Sequence, residues 1–363
     1  MSRPAIKIQA RQWLFPLASV YAMLILPLSV LSILGKISWL PAMASPYAHA
    51  HELVFAVALL VICGYLLGNR TRQQLLYLVG LWLAGRLSFL WLGFHPLAAI
   101  FTAAIAVILI WQVVPAFWRA KKWQNRSVAP IVALIGLFAA IAGSDAWLFV
   151  QLLPKVFLLL AALMFFMGGR IIAPLLASFW LQRGERMSNR VQPGMEGGGL
   201  LALGLALLLE LSGLLLPLKG LLLLAAGLVI ALRILRWRPW LYAGRADIVF
   251  MFIGYAGLAL AVLLLGAAEF SHLAAQLASH ALMVAALGVL MVTIMARVTQ
   301  IRKFKDANHL RAAHVASALL VAAAAARLSA PLLPGSYMLL LSLASLCWSL
   351  GFASLLWLFW RCR

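Results

Sequence analysis

Apolar residues in this chain come in long blocks, neither alternating as in a strand nor marking one face of a helix. Each block runs for about fifteen to twenty-four residues with almost no charge, and short polar connections separate them. A hydrocarbon core takes about 20 apolar residues per helix, and in lipid only a helix or a closed barrel satisfies its own backbone. The pattern predicts twelve membrane helices, near residues 13–34, 50–67, 74–92, 96–117, 128–142, 152–169, 198–216, 218–235, 247–266, 278–296, 312–330 and 337–360. The fifth is short, and the sixth reaches toward Pro174, where a broken or re-entrant piece would fit. The fold class is therefore all-α: a polytopic transmembrane helical bundle, one integral membrane domain over 1–363. The connections leave no room for a separate soluble domain.

Composition agrees. With 363 residues, 66% of them hydrophobic and 10% charged, the chain lacks the polar surface a soluble domain needs. The formal net charge of +21 raises nucleic acid as a partner, and its distribution removes it. With the N-terminus cytoplasmic, twenty-four basic residues fall on inner connections and tails, against only Lys36, Lys155 and Lys219 outside. That asymmetry places both termini in the cytoplasm, and the basic residues then face anionic lipid. The first apolar run is too long for a cleavable signal peptide and lacks its small-residue cleavage pattern. Cys63, Cys347 and Cys362 are scattered, giving neither a disulfide framework nor a CxxCH haem-attachment motif.

Candidate chemistry concentrates at one membrane face. His49, His51, His95, His272 and His280 are predicted there, with Glu52, Asp145 and Glu269, while His309 and His314 fall on the inner side. His49-Ala50-His51-Glu52 opens an apolar helix, and His280 stands one turn inside another. Ionisable groups at such depth are functional candidates, and neutral imidazole is a frequent ligand of transition metals and of haem iron. A histidine bonded to a neighbouring carbonyl, or wetted at the interface, remains the alternative. Arg86 and Arg327 lie within spans, where an arginine costs about 2.5–3.5 kcal/mol even on lenient scales, so each needs an anionic partner. Glu52 and Glu210 are the carboxylates within or beside spans.

These features recur. His51 and His280 each open an inward helix, a basic loop follows, and the next helix returns with Arg-Leu-Ser, Arg86 and Arg327 standing 35 and 47 residues after their histidines. The two hairpins, 50–92 and 278–330, read as a parallel repeat of the kind transporters use. They are expected to gather His51, His280, Arg86 and Arg327 around one site. Chance similarity in Ala- and Leu-rich sequence is the alternative.

Several blocks together resemble the NnrS family of polytopic bacterial membrane proteins. They are His49-Ala50-His51-Glu52 with Gly64-Tyr65-Leu66-Leu67, Leu81 to Leu87 around Gly85-Arg86, Gly168-Gly169-Arg170-Ile171-Ile172 with Pro174, Arg236-Trp237-Arg238-Pro239-Trp240, Gly254-Tyr255-Ala256, and His280-Ala281-Leu282 through Met295-Ala296-Arg297-Val298. They keep the family's order from about residue 11 to 360. The resemblance implies a bacterial cytoplasmic-membrane protein containing haem and copper, acting in the response to nitric oxide and protection from nitrosative stress. It implies His51 and His280 as metal or haem ligands, His49 and Glu52 as a further ligand or supporting partners, and Arg86 and Arg327 as partners of haem propionates or another anion. Departures are Ala48 where the family has a Trp, Asn69-Arg70-Thr71-Arg72 after the second helix, Phe252 where a His is expected, and Ile301 to Lys305 in place of a Gly-His-Thr-Gly-Arg stretch, so that Arg302 occupies a second expected His position. These losses imply either a reduced metal complement or a divergent member with altered activity.

Two other classes compete. A proton- or ion-coupled secondary transporter of a small anionic solute would use Glu210, Arg86 and Arg327 as coupling charges, and a structural partner of a respiratory complex would need no chemistry of its own. An optical spectrum separates the first reading from both. Whether the chain catalyses a reaction is left open by its residues.

Overall fold

The computed structural model describes residues 7–187, 189–190 and 192–363, without the Gln124 side chain. Arg3, one of the basic residues assigned to the inner side, lies outside them. Helices occupy all twelve predicted positions, and eleven of the described helices are long and apolar enough to cross a membrane. The twelfth, Val128–Ala142, is the short one. The chain is a multi-pass, all-α membrane protein.

Two predicted spans are longer than their hydropathy suggested. Ala146–Leu181 is one 36-residue helix and His272–Phe304 one of 33 residues. Pro174 does not break the first, because the preceding turn, Gly168–Ile172, is wound as a π-helix. That wider turn already disturbs the i→i−4 ladder in which a proline would cost a hydrogen bond. A two-stranded antiparallel ribbon was not foreseen: Lys7–Gln9 pairs with Asn69–Thr71, Lys7 opposite Thr71. Gly68, at φ +66°, turns the chain out of the preceding helix and into this strand. Thr71 then caps the next helix, its hydroxyl accepting from the Gln74 amide at 3.2 Å while the Gln74 side chain accepts from the Thr71 amide at 3.0 Å.

The chain divides into two compact units, Met1–Val156 and Phe157–Arg363, with the boundary inside helix Ala146–Leu181. In the first, Arg11–Ile33 packs on the helix that contains His51, and Arg72–Leu92 and Val128–Ala142 pack on Pro96–Trp118. Small residues set these distances, as expected where helices associate without a hydrophobic driving force. A Cβ on Gly64 would lie 2.8 Å from the Phe15 ring. In the second unit, Leu216–Arg236 packs between Pro193–Ser212 and Ala246–Ala267, and Arg311–Ser329 lies along Tyr337–Arg361. There Gly257 faces the backbone of Ala285, leaving no room for a side chain.

Two π-helical segments repeat the sequence pattern. Glu52–Ala58 begins immediately after His51, and Ala281–Gly288 immediately after His280. Such turns are rare and concentrate at functional sites. Each unit thus holds a hairpin in which a histidine opens a π segment and an arginine follows near the end of the returning helix.

Candidate functional site

In the first unit the ionisable residues converge. His51, Glu52 and Arg86 are all buried, Glu52 completely. The Glu52 carboxylate accepts from the Arg86 guanidinium, from the Tyr21 hydroxyl, and from His51 Nδ1 at 3.1 Å. Arg86 donates a further bond to Thr102 Oγ1 at 2.8 Å. Successive residues of an α-helix point away from each other. His51 and Glu52 nonetheless meet, at the junction between the α turn Pro46–His51 and the π segment Glu52–Ala58. Trp82 ties down the π segment by donating to the Ala56 carbonyl at 3.1 Å, and its ring stands edge-on to Tyr21.

Charge explains the arrangement. A buried guanidinium without a counter-ion is among the most destabilising groups a membrane interior can hold, and Glu52 is its counter-ion. Thr102 and Tyr21 add the hydrogen bonds such a pair needs to be tolerated. The Arg86 helix approaches its neighbour closely, since a Cβ on Gly85 would lie 3.0 Å from the Phe101 side chain.

His51 is the chemically distinctive member. With Nδ1 hydrogen-bonded to a carboxylate, the proton resides there and the Nε2 lone pair is left open. Nε2 is buried and has no hydrogen-bond partner. Aromatic rings surround the imidazole: Phe89 stacks on it at 4.1 Å between centroids, and Phe55, Phe94 and Phe149 stand edge-on at 5.5, 5.5 and 5.6 Å. Beside Nε2 the chain carries Gly143, whose absent Cβ would fall 3.3 Å from it.

Other predicted residues make contacts of their own. His49 Nδ1 lies 2.6 Å from the Ser29 hydroxyl, which also bonds the Leu26 carbonyl. His95 caps its helix, accepting from the Leu97 amide at 3.2 Å, a structural duty. Glu210 pairs with Lys219 at 2.6 Å, and Lys219 bridges to Glu269 at the same distance. In the second unit His280 is half-buried, with Ser279 Oγ 3.2 Å from Nδ1. Arg327 makes none of the ion pairs found among the described residues, and its Nη1 is buried without a partner. Among the described residues no group of three or more His, Cys, Asp or Glu side chains is placed to hold a metal ion.

Two further charge networks were not anticipated. Arg233, fully buried, donates to Glu196 at 2.5 Å and to the Tyr255 hydroxyl at 3.1 Å, and lies over the Phe165 and Trp237 rings. Asp247 accepts from Arg245 at 3.0 and 3.1 Å and pairs with Arg297. Arg233, Arg245 and Arg297 are among the twenty-four basic residues counted on the inner side, where a basic residue at a span end is normally a topology signal. Tyr21 and Thr102 were missed because a single hydroxyl in an apolar run leaves little trace in the sequence.

A family model described as NnrS protein matches residues 9–362. The chain belongs to the NnrS family. Neither the curated proteins nor the solved structures contain a match. The match takes in both hairpins.

Proposed function

We propose that this NnrS-family chain is a haem-binding protein of the bacterial cytoplasmic membrane, acting in the response to nitric oxide and protection against nitrosative stress. The observation that carries the reading is the unpartnered, buried Nε2 of His51 beside an Nδ1 held by Glu52. Metal-ligating histidines donate their other ring N–H to a carboxylate or carbonyl, which sets the tautomer and ring orientation. A buried nitrogen lacking its hydrogen bond costs about 1–3 kcal/mol, a cost that a ligand on Nε2 removes. The residues fit a histidine that would hold haem iron: Nε2 has no hydrogen-bond partner, and Gly143 keeps a side chain away from it.

When bound, haem iron supplies the affinity for a diatomic gas and the one-electron chemistry. The protein's own residues set the conditions. Glu52 would orient His51 as a ligand. Arg86 is the counter-ion of the Glu52 carboxylate. The Phe55, Phe89, Phe94 and Phe149 rings exclude water from the imidazole. His280, at the same position before its own π segment, is the second candidate ligand. The distribution of basic residues places both histidines toward the outer face, with both termini cytoplasmic. Haem is favoured over copper because its iron needs only one protein ligand, whereas a copper centre needs several.

Purification from haem-replete cells followed by an absorption spectrum tests the reading. A Soret band that disappears or shifts in His51→Ala supports it. A colourless wild-type protein, or a band indifferent to substitution of both His51 and His280, overturns it.

A further inference from the structure

The two hairpins differ in one respect that bears on ligand binding. In the first, Arg86 finds its anion within the chain, at Glu52, with the Tyr21 hydroxyl on the same carboxylate. In the second, the residue after His280 is Ala281, and no carboxylate takes that place. The chain has 8 acidic residues against 29 basic ones. Five carboxylates serve buried or half-buried cations: Glu52 serves Arg86, Glu196 serves Arg233, Asp247 serves Arg245 and Arg297, and Glu210 and Glu269 share Lys219. Arg327 is left with none among the described residues, and one guanidinium nitrogen is closed off from solvent without a partner.

Arg327 also borders an open cavity of about 510 Å³, five residues before the end of its span at Leu332. Gln276 and Tyr337 line the same space, and its remaining walls are Ala330, Pro331 and Pro334. A guanidinium, a carboxamide and a phenol therefore meet over apolar walls, with no acidic side chain among them. Guanidinium forks match carboxylate and phosphate oxygens better than any other side chain does.

We propose that the cavity at Arg327 binds a small oxyanion, carboxylate or phosphate, which supplies the counter-ion that Glu52 supplies in the first hairpin. Arg327 supplies the charge, and Gln276 and Tyr337 supply directional hydrogen bonds. The anion comes either from a free solute or from the acidic headgroup of a lipid, since the cavity lies near a span end.

The test uses the full-length protein in nanodiscs, with thermal stability as the readout because a ligand that binds only the folded state raises it. Sodium formate is titrated against sodium chloride at matched ionic strength, in phosphatidylcholine alone and with phosphatidylglycerol added. In phosphatidylcholine, formate is expected to raise the Tm saturably where chloride does not. Arg327→Gln is expected to weaken that response by about tenfold or more, the loss of a hydrogen bond to a charged group. Arg327→Lys, which keeps the charge, and Tyr337→Phe should each weaken it less. Phosphatidylglycerol that raises the wild-type Tm and suppresses the formate response, both effects being lost in Arg327→Gln, assigns the site to a headgroup. An unaltered formate response in its presence assigns the site to a free solute. A wild-type protein stabilised by neither formate nor phosphatidylglycerol overturns the proposal, as does an equal response in wild type, Arg327→Gln and Arg327→Lys. The readout does not depend on haem, so failure here leaves the reading of His51 standing.

Discussion

Replacing Glu52 by glutamine would remove one negative charge and almost no volume from the interior of the first unit. The carboxylate is fully buried and accepts from Arg86, Tyr21 and His51. Its loss leaves the Arg86 guanidinium, itself 3% exposed, without a counter-ion, with only the neutral oxygens of Thr102 and the new amide to accept from it. Breaking a buried ion pair from one side costs about 3–5 kcal/mol, because the surviving charge is uncompensated. Replacing both charges with neutral groups of similar size is often close to neutral. Glu52→Gln alone should therefore destabilise by about 3–5 kcal/mol. Adding Arg86→Met should recover most of that loss, leaving about 1 kcal/mol for each hydrogen bond not replaced. Arg86→Met alone strands the buried carboxylate and should cost a similar amount, so the coupling energy of the cycle is about 4 kcal/mol or more. Equilibrium unfolding in mixed micelles, followed by tryptophan fluorescence for the four proteins of the cycle, measures it. Additive single and double substitutions, or a Glu52→Gln protein within about 0.5 kcal/mol of wild type, where inert surface changes fall, would refute the buried-pair account.

Two other substitutions probe neighbouring parts of the structure. Gly143→Ala adds a methyl group 3.3 Å from His51 Nε2 and 3.4 Å from the nearest Ala99 atom. It should leave thermal stability nearly unchanged while lowering haem content per chain by pyridine haemochrome assay. Gly168→Ala drives a methyl group into the Tyr255 ring beside the Arg233 network and should cost about 1–3 kcal/mol by overpacking, seen as a lowered Tm with the absorption spectrum retained.

Helix positions were legible in the sequence because hydrocarbon thickness leaves a direct mark on hydropathy. Helix ends were less so: the spans at His272 and Ala146 carry polar or broken turns that continue the helix outside the apolar core. The candidate site was half legible. His51, Glu52 and Arg86 were visible because charge in an apolar run is conspicuous, and Glu52 was one of two carboxylates within or beside spans that could serve an arginine. The hydrogen bond between adjacent His51 and Glu52 was not, since neighbouring helix positions are not expected to face each other. Arg233 was read as an inner-side topology residue, although its side chain is fully buried. Sequence position fixes where a basic residue enters the membrane boundary, and only packing decides which way its long side chain turns.

The central claim is that His51 Nε2 is a haem ligand, and replacing the ligand by a free imidazole tests it most directly. His51→Gly removes the side chain and leaves a space among Phe55, Phe89, Phe94 and Phe149. The account predicts an altered or absent Soret band in this variant, and its return toward the wild-type position when imidazole is added. A spectrum unchanged by His51→Gly, or an altered one that imidazole leaves as it is, would contradict the account.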